Sequence, residues 1–349
     1  MIDNKRTVFV LGAGASCPYG YPSGAQLRTQ ICLDLKRAYL EHLKKSQPDQ
    51  TIRQKNYKEI CDFIDTFSNS STQSIDLFIA RNPRFAAVGK YIIAFEILGA
   101  EHRSHFREQA KVAKERHSEP CSNPAIVDFV ERGYFQGEDW YSYLFSRLNS
   151  GLTKPDVLPD FSDDKISFIT FNYDRSLEQF LYESLTDSFA EVPETEVVKC
   201  LKQLKILHIY GQVAPLKWQD SDKGIDYRPV INESLLQKAA SNIKTIYEQK
   251  KSSELNDAQE LLAGAQRIFF LGFAYAPENM EVLTLPEIVS PHCLVYGTAF
   301  NLIREEAERI ESAINHDRIK AQDYFNARPT KIEPCLDCLM LLRKYLTLS

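Results

Sequence analysis

The stretch "VFVLGAGASCPYGYPSG", residues Val8 to Gly24, combines a short apolar run with a loop of glycine, alanine and serine. Thr7 to Leu11 is predicted to be a buried strand, because the run is short, apolar and followed by glycine. The turn that leaves this strand is Gly12 to Ser16. Ser23 is expected to cap the next helix, since a serine hydroxyl accepts a hydrogen bond from a helix N-terminal amide. A strand, a glycine turn and a helix in this order begin an α/β unit.

Other segments of the chain have the apolar pattern of buried strands. They are 166–171, 204–211, 267–274 and 293–299. Helical stretches separate them and close the chain, which predicts a parallel sheet covered on both faces. We therefore predict an α/β fold with a Rossmann-like parallel sheet flanked by helices. Residues 46–159 show almost no strand pattern and are predicted to be a helical insertion between the two parts of the main domain, 1–45 and 160–349.

Composition and charge are those of an ordinary globular protein. Hydrophobic residues make up 44% of the chain and charged residues 26%, and the formal net charge is −5. This charge does not indicate a nucleic-acid surface, and no apolar run is long enough to cross a bilayer. The eight cysteines are scattered, which is typical of reduced thiols. We expect a cytoplasmic protein that binds neither nucleic acid nor membranes.

The glycine turn Gly12 to Ser16 lies between a strand and a helix, as phosphate-binding loops do. Small residues let the backbone approach a phosphate, and the N–H groups of the loop can face the anion. The spacing differs from the dinucleotide fingerprint because Cys17 stands where the third glycine is expected. It is not a P-loop, because no Gly-Lys-Ser/Thr follows. A phosphate-binding loop and a tight turn that needs small residues both stay open.

Polar residues follow two of the other predicted strands. In "ITFNYDRSLE", residues 169–178, Asn172 and Asp174 come just after a strand's carboxyl end, where ligands bind in open α/β sheets. The alternative for Asp174 is a cap on the next helix. His208 and Tyr210 share one face of the following strand, because side chains alternate along a strand. A histidine there is either a hydrogen-bonded structural residue or a group for proton transfer near neutral pH.

Together these segments resemble the sirtuin superfamily. Gly12 to Ser16, with Gly20-Tyr21-Pro22 after it, is similar to the sirtuin Gly-Ala-Gly-x-Ser loop and its following Gly-x-Pro. Thr170 to Asp174 is similar to the Thr-Gln-Asn-Ile-Asp motif of that superfamily. The strand that ends at Gly272 resembles the later Gly-Thr-Ser strand, and Gly297 resembles the turn on the adenosine side. The four motifs occur in the sirtuin order along the chain.

This chain differs from the deacylating sirtuins in two respects. Deacylating sirtuins have two Cys-x-x-Cys pairs that bind zinc, whereas this chain has one pair, Cys335 and Cys338, which we expect to pack on a helix. The chain therefore resembles the zinc-less bacterial branch, whose members typically hydrolyse NAD⁺ and often act in anti-phage defence. Sirtuins also have histidine directly before glycine, whereas Tyr210 precedes Gly211 here. The histidine role consequently falls to His208 or to Tyr210.

The resemblance implies an NAD⁺ hydrolase that releases nicotinamide and ADP-ribose without a metal, as the effector of an abortive-infection system against phage. It implies Asn172, Asp174 and His208 as catalytic residues. The residues that it implies for NAD⁺ binding are Gly12, Ala13, Gly14, Ala15, Ser16, Pro22, Thr170, Tyr210, Gly211, Gly272 and Gly297. "SIDLF", residues 74–78, also resembles a stretch of the zinc-less branch. Control is expected through homo-oligomers or a partner such as a HerA-type ATPase.

Two other functions stay open. One is a module that senses NAD⁺ or ADP-ribose without turning it over, which needs the glycine loop but neither Asn172 nor His208. The other is an NAD-dependent protein deacylase or ADP-ribosyltransferase. Release of nicotinamide that requires an acylated or protein acceptor would distinguish the second of these from a hydrolase.

Overall fold

The structure is a computed structural model. It describes residues 5–47, 49–104, 139–249, 252–300, 302–316, 327–328 and 330–346. Residues 105–138, which belong to the predicted insertion, therefore lie outside the described residues.

The described strands form one six-stranded parallel sheet in the order β3-β2-β1-β4-β5-β6. The strands are β1 Thr7–Leu11, β2 Ile166–Thr170, β3 Lys205–His208, β4 Arg267–Leu271, β5 Leu294–Thr298 and β6 Lys331–Glu333. This is the order of the doubly wound Rossmann fold, in which the chain starts in the middle, moves outward and then returns to the other side. The predicted Rossmann-like α/β class is confirmed, and the strand order reverses between β1 and β4.

Helices cover the sheet. Those in the first part of the chain are α1 Gly24–Leu33, α2 Leu35–Ser46, α3 Gln50–Ser68, α4 Ile75–Arg81, α5 Ala86–Arg103 and α6 Trp140–Leu148. Those in the second part are α7 Ser176–Ser188, α8 Glu194–Leu201, α9 Glu233–Asn242, α10 Ile246–Gln249, α11 Ser253–Ala263, α12 Pro277–Leu283, α13 Leu285–Ile288, α14 Arg304–His316 and α15 Cys338–Tyr345. None of the described helices has the length and apolar character required to cross a membrane.

The central strands are buried along their whole length. Every residue of β1, β2 and β4 is buried, as expected for parallel strands with helices on both faces. Phe9 on β1 pairs with Phe168 on one side and Phe269 on the other. Its ring stacks on both partners, with centroids 5.2 and 5.4 Å apart. This row of aromatic rings supplies apolar contact across the middle of the sheet.

The observed strands differ from the prediction in three places. The fourth strand ends at Leu271 and not at 274, because the Gly272 turn follows it. The third strand ends at His208 because the backbone turns there: the Gly211 N–H donates to the His208 carbonyl, and Gly211 has a φ of +74°. The short strand β6 was not predicted, since its three residues place one apolar side chain, Ile332, between two charged ones. By contrast, Ser23 caps α1 as predicted, in a reciprocal arrangement with Gln26.

The described residues of 46–159 form helices and contain no strand. Helix α3 packs on α2, and α5 packs on α9, so helices in this range contact elements on both sides of it in sequence. Their apolar residues belong to the same hydrophobic core as the sheet. The boundaries 46 and 159 stay predictions.

A buried ion pair fastens α5 to the carboxyl edge of the sheet. Arg175, just before α7, donates through Nε and Nη2 to the two carboxylate oxygens of Glu101 at 3.0 and 2.9 Å. Neither side chain is exposed to solvent. Arg175 also donates to backbone carbonyls, including that of Ile225 at 3.0 Å. Removing one partner of such a pair leaves an uncompensated charge in the interior.

The substitution Glu101→Gln tests how much this ion pair contributes to the stability of the protein. We expect a loss of about 3–5 kcal/mol in the free energy of unfolding, because the Arg175 charge stays buried without its counter-charge. Urea unfolding followed by circular dichroism measures it. The control is Glu196→Gln, which changes an exposed pair with Lys199 and should leave the midpoint unchanged. Equal midpoints for both variants would contradict a structural role for the buried pair.

Candidate functional site

The ends of four neighbouring strands lie level with one another. Leu11 pairs with Thr170 on β2 and with Leu271 on β4, and Thr170 pairs with His208 on β3. The turns that follow these strands therefore meet at the carboxyl edge, where the strand order reverses. Ligands of open α/β sheets bind at such a position.

Two glycine turns touch through their backbones at this edge. The N–H groups of Gly12 and Gly14 donate to the carbonyls of Leu271 and Gly272, each at 3.0 Å. A Cβ on Gly12 would lie 2.5 Å from the Gly272 oxygen, and a Cβ on Gly272 would lie 2.0 Å from the Ala15 nitrogen. Gly272 also has a φ of +57°, which glycine adopts at no steric cost. Close backbone packing alone therefore requires these glycines.

The remaining amides of the first turn are mostly engaged within the protein. The N–H groups of Ala15 and Ser16 donate to the carbonyls of Gly12 and Ala13 at 2.9 and 3.1 Å. Among the described residues, no acceptor contacts the N–H of Ala13. Only this amide of the Gly12 to Ser16 loop is thus left for an anion.

Asn172 faces the glycine turn and leaves one polar atom without a partner. Its Nδ2 donates to the Gly12 carbonyl at 3.1 Å and to Ser16 Oγ at 3.0 Å. Because a carbonyl can only accept, the amino group and not the oxygen must face Gly12. The Oδ1 atom is buried and has no hydrogen-bond partner among the described residues. It is one of eight buried side-chain atoms without a partner in the described residues, and the one that belongs to a predicted catalytic residue. Buried polar atoms are normally paired, so this acceptor is a candidate place for a donor.

His208 connects Asn172 to an acid that the sequence analysis missed. Its Nδ1 lies 2.9 Å from the Asn172 carbonyl oxygen, and its Nε2 lies 2.6 Å from Oε1 of Glu178. Burial alone would lower the pKa of His208, but the charge and hydrogen bond of Glu178 raise it above the ordinary histidine value. No local signal marks Glu178, because in the sequence it lies on a predicted helix like any surface acid.

Asp174 accepts hydrogen bonds from Ser176, the first residue of α7, and lies one residue before the N-cap of that helix. Its carboxylate accepts hydrogen bonds from the backbone N–H of Ser176 at 3.1 Å and from the Ser176 hydroxyl. Burial raises the pKa of Asp174, whereas these bonds lower it in part. The predicted cap at Asp174 is therefore wrong by one residue, because Arg175 is the N-cap of α7 and its side chain makes no capping hydrogen bond. The Asp174 carboxylate instead closes a turn onto Ser176.

Tyr210 and Gly211 form the turn after β3. The Tyr210 hydroxyl donates to Oδ1 of Asn279 at 2.7 Å, and burial raises its pKa. A Cβ on Gly211 would lie 2.1 Å from the Asn242 carbonyl oxygen, so only glycine fits this turn. Tyr210 consequently reaches across the strand ends to helix α12.

The remaining residues that were predicted to bind NAD⁺ are Gly297, Pro22 and Thr170. A Cβ on Gly297 would lie 2.0 Å from the hydroxyl of Tyr275, so this glycine makes room for a protein side chain. Pro22 is buried. Thr170 accepts the backbone N–H of Asn172 on its hydroxyl at 3.0 Å and so supports that residue.

An acid from the helical region also reaches this edge. Asp76, on α4 within "SIDLF", accepts a hydrogen bond from the hydroxyl of Tyr173. Burial raises the pKa of Asp76, and no Lys or Arg in the described part of the chain pairs with it. In the sequence this stretch shows only a resemblance, because a contact between distant segments leaves no local pattern.

The chain was compared with known proteins at three levels. No protein-family model, curated protein or solved structure matches it. Within the described ranges, no three His, Cys, Asp or Glu side chains form a group that could hold a metal ion. The function is therefore inferred from the residues of this chain.

The substitution Gly272→Ala tests the contact between the two glycine turns. We expect a loss of at least about 1–2 kcal/mol from the left-handed backbone alone, and more from the collision with Ala15. The control is Gly24→Ala at the start of α1, where an added Cβ meets no atom within 4 Å. Thermal unfolding should show a lower midpoint for Gly272→Ala only. An unchanged midpoint in both variants would refute the close packing.

Proposed function

We propose that this protein hydrolyses NAD⁺ at the bond between nicotinamide and ribose. The observation that carries this proposal is the buried Oδ1 of Asn172, an acceptor without a partner in the described residues, at the switch point of a Rossmann-like sheet. The order of the sirtuin-like motifs along the chain supports the same substrate.

The residues present fit such a substrate. Ribose hydroxyls and water are hydrogen-bond donors, which is what the Oδ1 of Asn172 lacks. The N–H of Ala13, which no described acceptor contacts, is suited to an oxygen of the diphosphate. Asn172 joins these two features, because its Nδ2 holds the carbonyl of Gly12 in the same turn.

The proposed reaction requires little acid or base catalysis from the protein. The nicotinamide nitrogen that is bonded to ribose in NAD⁺ carries a positive charge. When the C–N bond breaks, its electron pair neutralises that nitrogen, so nicotinamide leaves without a strong general acid. Positive charge passes to the anomeric carbon in an oxocarbenium-like transition state. Water then bonds to that carbon and releases a proton, which gives ADP-ribose. The protein must hold the sugar, limit the approach of water and place one acceptor beside it.

The resemblance extends the proposal beyond the chemistry. An effector role in anti-phage defence, control through homo-oligomers and a HerA-type ATPase partner all follow from the sirtuin-like branch by analogy. These parts are separable from the reaction, since each needs its own partner or trigger.

The test is nicotinamide release by purified protein and by Asn172→Ala. We expect the variant to lose about 100-fold or more in rate, because the positioned acceptor is removed. The matched control is Asn256→Ala on the exposed side of α11, which should retain the wild-type rate. Equal rates for the wild type and Asn172→Ala would remove Asn172 from the mechanism.

Calorimetry with NAD⁺ and ADP-ribose separates the alternatives. Tight binding by the wild type without release of nicotinamide, alone or with its partner, would indicate a sensor module. Release that depends on an acylated or protein acceptor would indicate a deacylase or ADP-ribosyltransferase.

A further inference from the structure

Three buried groups form a continuous chain of hydrogen bonds behind the candidate site. Glu178 contacts Nε2 of His208 at 2.6 Å, and Nδ1 of His208 contacts the Asn172 carbonyl at 2.9 Å. The side chains of His208 and Glu178 are 8% and 3% exposed. Both ring nitrogens of His208 therefore already have protein partners.

The chemistry of these partners fixes the protons. A backbone carbonyl accepts hydrogen bonds and cannot donate, so Nδ1 of His208 must carry a hydrogen. With that hydrogen in place, a neutral ring would present the lone pair of Nε2 to the oxygen of Glu178. Two lone pairs at 2.6 Å repel each other, so a proton must lie between them. Imidazole is the stronger base of the two groups, which makes the pair an imidazolium and a carboxylate.

Loss of this proton would weaken the series of hydrogen bonds at the end that contacts Asn172. The ring would turn or shift to relieve the repulsion from Glu178, and the bond from Nδ1 to the Asn172 carbonyl would weaken. Leaving a buried carbonyl without its donor is costly. The peptide of Asn172, whose side chain is aligned with Gly12 and Ser16, would lose one of its supports.

We propose that Glu178 and His208 form a proton-dependent latch that positions Asn172, and that neither acts on the substrate. In the protonated state the latch fixes the Asn172 peptide. In the deprotonated state it releases that peptide. The consequence for turnover rests on the proposed NAD⁺ hydrolase function, whereas the protonation state of the ring does not. Glu178 and His208 are thus positioning residues.

The surroundings favour the protonated state. The groups that act on His208 are Glu178 on α7, the Asn172 carbonyl at the end of β2 and Asp174 before α7, and they overcome the burial that lowers its pKa. The folded-state pKa therefore lies above the unfolded value of 6.5. The latch stabilises the protein fully below the unfolded value, and this contribution is lost as pH rises through the folded value.

A latch and a general base predict opposite pH dependences. A histidine that takes a proton from water must be deprotonated, so turnover would rise with pH through its pKa. A latch must be protonated, so turnover falls as pH rises through the folded-state pKa. The direction of the profile distinguishes the two roles.

Glu178→Gln is the decisive variant. The glutamine amide can donate to Nε2 of a neutral ring, so the contact with His208 survives without the extra proton. We expect nicotinamide release within about threefold of wild type at neutral pH, and no decline on the alkaline side. The control is Glu260→Gln on the exposed face of α11, which should keep the wild-type profile. Wild-type turnover that rises through this pKa, or a Glu178→Gln profile identical to wild type, would overturn the proposal.

Nitrogen-15 NMR of histidine-labelled protein tests the latch without any activity. The His208 signals are those that change in Glu178→Gln and not in Glu260→Gln. At neutral pH, wild type should show both ring nitrogens protonated, and Glu178→Gln should show one that is not. An unprotonated ring nitrogen in wild type would refute the latch. Two protonated nitrogens in a protein that releases no nicotinamide, alone or with its partner, would support the latch and refute the hydrolase instead.

Discussion

The backbone contact between the turns after β1 and β4 sets the geometry of the candidate site. The amides of Gly12 and Gly14 donate to carbonyls at the end of β4, and the distances to Gly272 leave no space for a side chain. This approach holds the Gly12 carbonyl and the Ser16 hydroxyl where the amide of Asn172 reaches both. The orientation of Asn172, and the direction of its free acceptor, therefore depend on bare backbone.

Because of this contact, the glycines and Asn172 differ in how strongly they support a functional site. Glycine in a strand-to-helix turn was ambiguous in the sequence, and packing between two turns is enough to explain Gly12, Gly14 and Gly272. Tyr275 likewise explains Gly297. By contrast, no packing requirement explains why a buried amide oxygen on Asn172 has no donor in the described structure. The unsatisfied acceptor therefore supports the proposed site more strongly than the contacts of the glycines do.

The sequence predicted those features of the fold and site that a short run of residues determines. The central strands are mostly apolar and are soon followed by glycine or asparagine, so their positions and that of Asn172 could be read from short windows. Glu178 and Asp76 could not be assigned in this way. Glu178 lies on a helix like any surface acid, and Asp76 meets Tyr173 only because the fold brings distant segments together. Strand β6, with one apolar residue, is held by pairing with β5 and has no pattern of its own.

Charged groups accumulate behind this one edge of the sheet, and their burial has a cost. The pair of Arg175 with Glu101 and the pair of His208 with Glu178 both lie out of solvent, and replacing such pairs by apolar residues is often neutral or stabilising. Stability therefore does not explain them, since the stacked rings around Phe9 already supply a strong apolar centre. Orientation does: each pair carries directional hydrogen bonds to backbone carbonyls, at Ile225 and at Asn172. The proposed cleavage of a cationic glycoside requires a substrate that is held in place, and fixed peptides serve that purpose. In this proposal the buried ion pairs are the means of fixing them.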